Sequence, residues 1–556
     1  MRLLQWAYSR NALVKRSKGL FDSHMFSLIK QVAMAQLLLL KRRLLAPPMW
    51  HINLWPLLLP AALFALWQLA AQYQWMPEQI LPAPRVVLAT ASALWQGDLL
   101  AQWWVSLQRL ALGLLLGVVA GTLLGGLFGL SRRSAQYLEP MFYTLAQIPT
   151  LGWIPLFMVL FGIDDGLKMA VIVKAVIVPV TLNTQQALAA VPLGLSEVAH
   201  VVRLNGWQRF RLLLVPASLP GWFTGVHLAL SQAWISLIVV ELLASSQGIG
   251  YLMVWGRQLF QLDIVFVAIA VIGISGLVME WGTHRLYQRL VFWPQPALSR
   301  QLHRRQARLA GLVLPVLLVA LWQLASRHDW IDPLLLSSPL AVVERLIRGL
   351  QNGELLQAMG QSLGRALLGG AAGIVLGFAG GLACALRPTV GAVFSPTLNV
   401  LRQIALFAWL PLLTAWVGND NPGKVVFVML AAFFPMFFST LKAVARRDPQ
   451  LDEVAKVLRL KGADYLRLLI LPGAAPGIFA GLRLALLYAW LGNIGAEYFM
   501  SSGVGIGSLM INAQQLLDMP TIFCGMLLIG ITGALLDKTG RVLEASATRW
   551  RRQEQI

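Results

Sequence analysis

The sequence predicts an all-α polytopic membrane protein, with about 12 transmembrane helices forming two tandem six-helix repeats related by a pseudo-twofold along the membrane normal. Three observations carry that expectation. Of 556 residues, 57% are hydrophobic and only 12% charged, a balance that long membrane-spanning segments explain and soluble globular chains do not reach. A polar stretch at 195–220, LSEVAHVVRLNGWQRFRLLLVPASLP, returns 256 residues later at 451–476 as LDEVAKVLRLKGADYLRLLILPGAAP. Apolar segments follow one another in the same order around both copies, and six per repeat, an even number, gives both repeats one orientation.

Residues 1–50 are basic, with Arg10, Lys15, Arg16, Lys18, Lys41, Arg42 and Arg43 against a lone Asp22. The apolar run at 37–40 is too short to span, and no small-residue cleavage site follows it, so this is a cytoplasmic or interfacial extension. The first repeat covers 51–284. Its first span, 54–71, carries LWQLA at 66–70, which recurs at 321–325. The second, 110–130, places Gly113, Gly117, Gly121, Gly125 and Gly129 every fourth residue, a stripe that lets helices approach closely; Gly369, Gly373, Gly377 and Gly381 repeat it. Spans at 141–162, 169–190, 219–243 and 265–281 follow. After a basic linker, 285–308, the second repeat (309–545) reads 310–326, 363–386, 394–417, 424–445, 475–499 and 521–537, and a tail occupies 546–556.

Loop charges orient the chain. Ser131-Arg132-Arg133, the two repeated stretches and the linker fall on one side, rich in Arg and Lys and therefore cytoplasmic. Acidic turns at Asp164-Asp165 and Asp420 fall outside, and both termini lie inside. The formal charge of +21 belongs to these loops and does not point to nucleic acid.

The repeated stretch reads as a helix at the membrane surface. Ser196 and Asp452 are good N-cap residues, and Glu197 and Glu453 behind them would face the positive end of the helix dipole. Val198, Val201, Leu204, Trp207, Phe210 and Leu214 recur at near-helical spacing, with Arg203, Arg209 and Arg211 between them. Gly206 and Gly462 would mark a bend, and Pro216 and Pro472 a break before the next span. Such a helix either rests on lipid headgroups or is presented to a soluble partner. A lipid-resting loop does not need two copies with matching caps, glycine and prolines, so duplication favours the partner.

Catalytic chemistry is missing. Gly423-Lys424 lacks the spacing of a phosphate loop, and Gly248-x-Gly250 and Gly505-x-Gly507 follow membrane spans, outside any dinucleotide-binding context. The seven His are scattered, and Cys384 and Cys524 lie in apolar segments, so neither a metal site nor a disulfide framework is expected.

The repeated Glu-Val-Ala … Gly … Leu-Pro stretch resembles the EAA loop of binding-protein-dependent ABC importer permeases, above all the sulfonate, taurine and nitrate type. Matching residues extend over nearly everything after residue 54. In the first repeat they are Ser106-Leu107-x-Arg109, the glycine stripe, Ile148-Pro149, Pro155-Leu156, Phe161-Gly162, Pro216-x-x-x-Pro220, Gly225, Glu241 and Gly248-x-Gly250. In the second they are Ser362, Arg365, Pro411-Leu412, Gly418, Pro472, Pro476, Gly481-Leu482-Arg483, Glu497 and Gly505-x-Gly507. The resemblance implies two permease domains fused in one inner-membrane chain. Its loops, through Glu197, Arg203, Gly206, Arg209 and Pro216 and through Glu453, Arg459, Gly462, Arg467 and Pro472, would dock two copies of a separate cytoplasmic ATP-binding subunit. ATP and Mg would sit on that subunit, with no cofactor in this chain, and a periplasmic binding protein would deliver a small oxyanion. One departure stands out: the family usually has Gly six residues after the loop Glu, where this chain has Arg203 and Arg459.

A secondary transporter of six plus six helices, driven by ions, is the alternative. It would need ionisable residues at mid-membrane positions, for which Lys174, Glu241 and Glu497 are the candidates. For the conduit itself, the repeat pairs Gln147 with Gln403 and Trp153 with Trp409. An amide can donate hydrogen bonds to a passing oxyanion without adding a charge that would trap it; the same residues also suit interhelical packing.

Overall fold

Among the residues described by the computed structural model, every regular element is helical. These residues are 54–291 and 310–548, apart from 329, 331, 333, 334, 447, 448, 461 and 501. Contacts divide the chain into Met1–Leu54 and Trp55–Ile556, and the helical fold belongs to the second unit. The extension at 1–50, the linker beyond residue 291 and the tail beyond residue 548 lie outside the described residues.

The first repeat contributes α1 (Trp55–Gln72), α2 (Pro84–Gln96), α3 (Leu99–Leu130), α4 (Arg132–Gln147), α5 (Thr150–Phe161), α6 (Asp165–Ala189), α7 (Leu193–Val201), α8 (Val215–Ala244), α9 (Ile249–Gln258) and α10 (Leu262–Leu290). The second repeats the succession as α11 (Ala310–Arg327), α12 (Pro339–Gln351), α13 (Glu354–Leu386), α14 (Pro388–Gln403), α15 (Leu410–Val417), α16 (Asn421–Ala445), α17 (Pro449–Val457), α18 (Leu471–Phe499), α19 (Ile506–Gln515) and α20 (Met519–Ala547). Among the described residues, eight helices are long and apolar enough to cross a membrane, or 10 when each bent pair counts as one span. The other two expected spans correspond to α6 and to α11, whose apolar part is Val313–Arg327.

The third and ninth spans differ from expectation. Neither is a single helix: α4 and α5 meet at 93°, as do α14 and the segment that ends in α15. In the first repeat Pro149 supplies the reason. It has no N–H to continue the ladder and disfavours helical backbone at the residue before it, and Ile148 is extended at ψ 115°. The second repeat has no proline there, yet Ile404 is extended at ψ 124°, and a tight turn at Leu406–Trp409 leads into α15.

The glycine stripe packs α3 onto α6. A Cβ added at Gly113, Gly117 or Gly121 would lie 2.5 Å, 2.6 Å and 2.8 Å from Ile172, Val176 and Val180 respectively. Each glycine thus receives a β-branched side chain four residues further along α6. In the second repeat the fit is tighter, because Gly369, Gly373, Gly377 and Gly381 face backbone carbonyls of α16. At that distance only glycine fits, and dispersion contacts between backbones replace those between side chains.

The first helix of each repeat crosses over. α1 packs on α14 of the second repeat, and α11 packs on α4 of the first. Trp67 of α1 stacks on Phe266 at 5.1 Å, and Phe266 meets Trp416 of the other repeat at 6.2 Å. The Trp416 indole donates to the Ile80 carbonyl at 3.1 Å. The repeats are therefore strapped reciprocally, as a twofold relation requires.

Candidate functional site

The repeated stretches form helix–turn–helix elements at one end of the bundle. α7 begins after Pro192, and α17 begins at Pro449, so Ser196 and Asp452 are not N-caps; both fall inside their helices. Proline's fixed φ suits a helix start and sets the earlier beginning. The Ser196 hydroxyl instead accepts from Arg209 Nη2 at 2.5 Å, tying α7 to the next segment, while the Asp452 side chain lies outside the described set. Glu197 and Glu453 point outward, and Ala199 and Ala455 are buried.

The turn after each helix lies at the arginines. Arg203 and Arg459 adopt left-handed backbone at φ 57° and 53°. Arg203 N–H donates to the His200 carbonyl and Leu204 N–H to that of Ala199, each at 3.0 Å, and Arg459 and Leu460 repeat the pattern on Lys456 and Ala455 at 3.1 Å and 3.0 Å. This is the paired C-terminal cap that glycine usually closes. An arginine there costs about 1–2 kcal/mol of backbone strain. The family's turn is thus retained with the residue changed, and the bend expected at Gly206 lies three residues earlier. Gly206 opens the following helix, under a reciprocal cap between Asn205 and Gln208; Gly462 is itself left-handed at φ 54°.

The breaks expected at Pro216 and Pro472 are absent. Gly206–Ala244 and Gly462–Phe499 run continuously into the membrane spans. Each holds a widened π turn, at Phe210–Leu214 and Tyr465–Ile470, which gives the proline ring room where it would press on the preceding turn. The two basic residues assigned to docking are not equivalents. Arg467 is exposed and matches Arg211, whereas Arg209 is half-buried against Ser196 and matches Tyr465. What the elements share is an apolar surface. Val198, Val201, Val202 and Leu212, and their counterparts Val454, Val457, Leu458 and Leu468, are all exposed, Val201 and Val457 at 82%.

The opposite end of each repeat is held by a buried polar latch. The Glu241 carboxylate accepts from Ser106 Oγ at 2.8 Å, Arg109 at 3.2 Å and the Gly250 N–H at 3.0 Å. The Glu497 carboxylate accepts from Ser362 at 2.7 Å, Arg365 at 2.5 Å, Asn493 at 2.8 Å and the Gly507 N–H at 2.7 Å. Arg109 continues to Asp165, and Arg365 to Asn421. Gly248, left-handed at φ 110°, lies against the Glu241 carboxylate, where any side chain would overlap it. Ion-paired groups of this kind join helices (α3, α6, α8 and α9 in the first repeat) rather than shuttle ions; in the second latch Arg365 Nε and Asn493 Oδ1 are buried without a partner. Lys174, the third candidate for ion coupling, donates to the Ile148 carbonyl at 2.7 Å and fastens the α4–α5 break.

The breaks meet at the seam between the repeats. Ile148 packs on Gly530, and Ile404 on Gly273, each 3.0 Å from where a Cβ would stand. Beyond them Leu151 and Phe407, which are equivalent positions, converge on Gly495, where a methyl group would overlap the Phe407 ring. Val239 stands at the position equivalent to Gly495 and belongs to the same core cluster. A large side chain over a small one in one repeat is thus matched by two of intermediate size in the other. The facing helices change character along their length. In α8, residues 236–242 are buried, whereas Leu228 and Gln232 are exposed; in α18, 489–490 and 492–498 are buried, and Leu484 is exposed. The seam is sealed toward the latches, and the exposed positions of both helices lie toward α7 and α17.

Comparison with known proteins decides the family. The family model described as "Binding-protein-dependent transport system inner membrane component" matches twice, over residues 113–292 and 373–544. The chain belongs to that family. Its relatives match roughly one repeat each. The putative aliphatic sulfonates transport permease SsuC of Bacillus subtilis is 34% identical over 238 residues, covering 43% of this chain and 86% of its own. The taurine transport system permease TauC of Escherichia coli is 31% identical, covering 48% and 96%. The bicarbonate transport system permease CmpB of Synechococcus elongatus is 33% identical, covering 34% and 68%. The chain is therefore a two-domain transport component.

Within this family member, Gln147 and Gln403 lie at the helix breaks. Their backbone carbonyls face Gly533 and Gly276 of the opposite repeats, 4.0 Å and 3.0 Å from where a Cβ would stand, and the Gln147 side chain is exposed. Trp153 packs on Phe157 at 5.6 Å and donates to the Ile148 carbonyl at 3.4 Å; Trp409 is half-buried in its turn. Sequence reasoning missed Lys168 and Lys424. Both are buried near the latches, Lys168 beside Asp165 at 3.3 Å and Lys424 on the Ser502 carbonyl. Their signal is the lysine found three residues after Asp165 and again after Asn421.

Proposed function

We propose that this chain supplies both halves of the conduit of an ABC importer for a small oxyanion. The reading rests above all on the duplicated helix–turn–helix elements, whose matched exposed valines suit burial against a partner. Each element would dock one copy of a cytoplasmic ATP-binding subunit, Val201 and Val457 entering its clefts with Arg211 and Arg467 at the rim. Contacts at a rim contribute less than desolvated ones. Nucleotide-driven approach of the two subunits would then move the repeats as bodies, since π-turned helices transmit the displacement continuously from the docking elements into α8 and α18. In the form described, the conduit is sealed on the side of the latches. With the positively charged loops inside, that seal faces the periplasm, and both termini are cytoplasmic.

The oxyanion class rests on relatives whose names give aliphatic sulfonates, taurine and bicarbonate as their cargo. Uptake in proteoliposomes tests the reading. It should require the ATP-binding subunit, ATP and a binding protein, and should survive collapse of the proton gradient; uptake driven by an ion gradient without ATP would reject it. Orientation is tested separately by impermeant thiol labelling of Asp165→Cys and Ser196→Cys in a background without Cys384 and Cys524. Asp165→Cys should react from outside and Ser196→Cys should not.

A further inference from the structure

Alike in their helices, the repeats differ in how the last helix of each is tied. α20 is joined to α18 at two levels. The Trp490 indole donates to the Ile529 carbonyl at 3.2 Å. Nearer α17, Asp537 is 8% exposed and accepts from Arg483 of α18 at 2.5 Å and, within α20, from Arg541 at 2.9 Å. Gly540 lets the Arg483 stem lie against α20, 2.9 Å from where a Cβ would stand. The first repeat has Trp234, Ile272, Glu280, His227, His284 and Thr283 at the positions of Trp490, Ile529, Asp537, Arg483, Arg541 and Gly540. There the Trp234 N–H is buried without a partner, and Glu280 makes no ion pair among the described residues. α8 meets α10 through His227 Nδ1 and the Thr283 hydroxyl at 3.1 Å, and through the edge of Phe223 on Tyr287 at 6.0 Å. α10 is tied instead to α3, where the Trp103 indole donates to Ser275 at 2.9 Å. The equivalent contact in the second repeat is Thr532 on the Met359 sulfur at 3.7 Å.

The helix breaks differ in the same sense. The Ile148 carbonyl accepts from Lys174 at 2.7 Å and from Trp153 at 3.4 Å, which fastens the first break to α6 of its own repeat. Leu430 stands where Lys174 does and cannot donate, so that fastening is missing at Ile404. Across the seam, Ile148 meets Gly530 of α20, next to the carbonyl that Trp490 holds, and Ile404 meets Gly273 of α10. Parting α20 from α18 would strip a buried carboxylate of its partner across the helices. That penalty is far larger than returning one hydrogen bond between α8 and α10 to water. When the repeats separate, α20 therefore follows α18 while Ile148 stays with α6, and their contact has to part. α10 stays with α3, and Ile404 is free to follow it.

We propose that the conduit opens on one side. The Ile148–Gly530 contact is the gate, and the Ile404–Gly273 contact stays closed. The moving body is α18 with α20, which swings about its outer end, where Arg345 Nε donates to Thr521 at 2.7 Å. Such motion needs a stiff unit beside a compliant contact, and the two repeats supply one of each. This proposal deepens the importer reading and rests on it.

The test uses the full chain with its ATP-binding subunit and binding protein in proteoliposomes, without Cys384 and Cys524. Uptake of methanesulfonate, taurine and bicarbonate is followed. Ile148→Cys with Gly530→Cys makes one pair, with Cβ atoms 3.9 Å apart, a separation that a disulfide bridges. Ile404→Cys with Gly273→Cys makes the other. An oxidant closes each pair, and mass spectrometry after alkylation gives the fraction closed. Closing the first pair should abolish uptake, and reduction should restore it. Closing the second should leave uptake within about twofold of its own reduced form, since a contact that never parts does not limit the cycle. A further variant tests the cause. Arg483→His, Gly540→Thr and Arg541→His give α20 the ties of the first repeat, so closing the first pair should then inhibit only in part. Full inhibition there would overturn the role of the α18–α20 tie. Equal loss from both pairs, or no loss from the first, would overturn the one-sided gate while leaving the importer. A reduced protein that moves none of the three solutes would remove the importer reading, and the gate with it.

Discussion

Exchanging the side chains that seal the seam probes the twofold arrangement most sharply. Gly495→Val gives the second repeat the residue that the first has at position 239. A Cβ there overlaps the Phe407 ring, and its neighbour on the other side, Leu151, is only 3.4 Å away, so nothing can yield cheaply. Overpacking of this kind costs about 1–3 kcal/mol, and the upper part of that range applies because Phe407 is 5% exposed. Phe407→Leu alone leaves a cavity and costs about 1–2 kcal/mol. Together the two changes rebuild the Leu151–Val239 combination, and the double variant should return to within about 1 kcal/mol of wild type. The resulting coupling energy, about 2–3 kcal/mol, lies at the high end for residues in contact. Equilibrium unfolding in mixed micelles measures all three variants. Additive losses would show that the positions do not share one space and would refute the packing argument.

The latches predict that Glu497→Ala costs about 3–5 kcal/mol, because it leaves Arg365 buried without a carboxylate, and that Glu241→Ala costs less, because Arg109 keeps Asp165 at 2.8 Å; a shift in unfolding midpoint checks this. Arg203→Gly and Arg459→Gly should leave stability unchanged or raise it by up to about 1 kcal/mol, since relief of left-handed strain offsets the flexibility of glycine. A clear loss in the same unfolding assay would mean that the turn is not what the backbone indicates. Gly117→Val should destabilise by more than about 2 kcal/mol by forcing α3 away from Val176. Gly126 of the same helix, which faces open space, should tolerate alanine.

Much of this architecture is legible in the amino-acid order because it depends on period and repetition. Glycines every fourth residue place one face of α3 against α6, and a polar stretch repeated at one interval shows two like halves. The breaks in the third and ninth spans were harder to see. Pro149 is a signal for the first, but the second has alanine in its place and bends equally, so only repetition with the first reveals it. The start of α7 was misplaced because Ser196 is a good cap by type, whereas Pro192 sets the backbone earlier. The turn at Arg203 hides behind a residue that rarely adopts left-handed backbone. The latches escape local reading altogether: Ser106, Arg109 and Glu241 stand out individually, but a contact across 132 or 135 positions is set by how helices pack. The crossing of α1 to the second repeat is likewise a tertiary fact with no local pattern.

The claim that one chain presents two docking elements is tested most directly by counting its partners. Native mass spectrometry of the purified complex should show two ATP-binding subunits for each copy of this chain. Val201→Asp alone should leave one, Val457→Asp alone should leave one, and the pair should leave none, with the helical content of the chain unchanged. One subunit per chain in the wild type, or two retained in the double variant, would contradict the account.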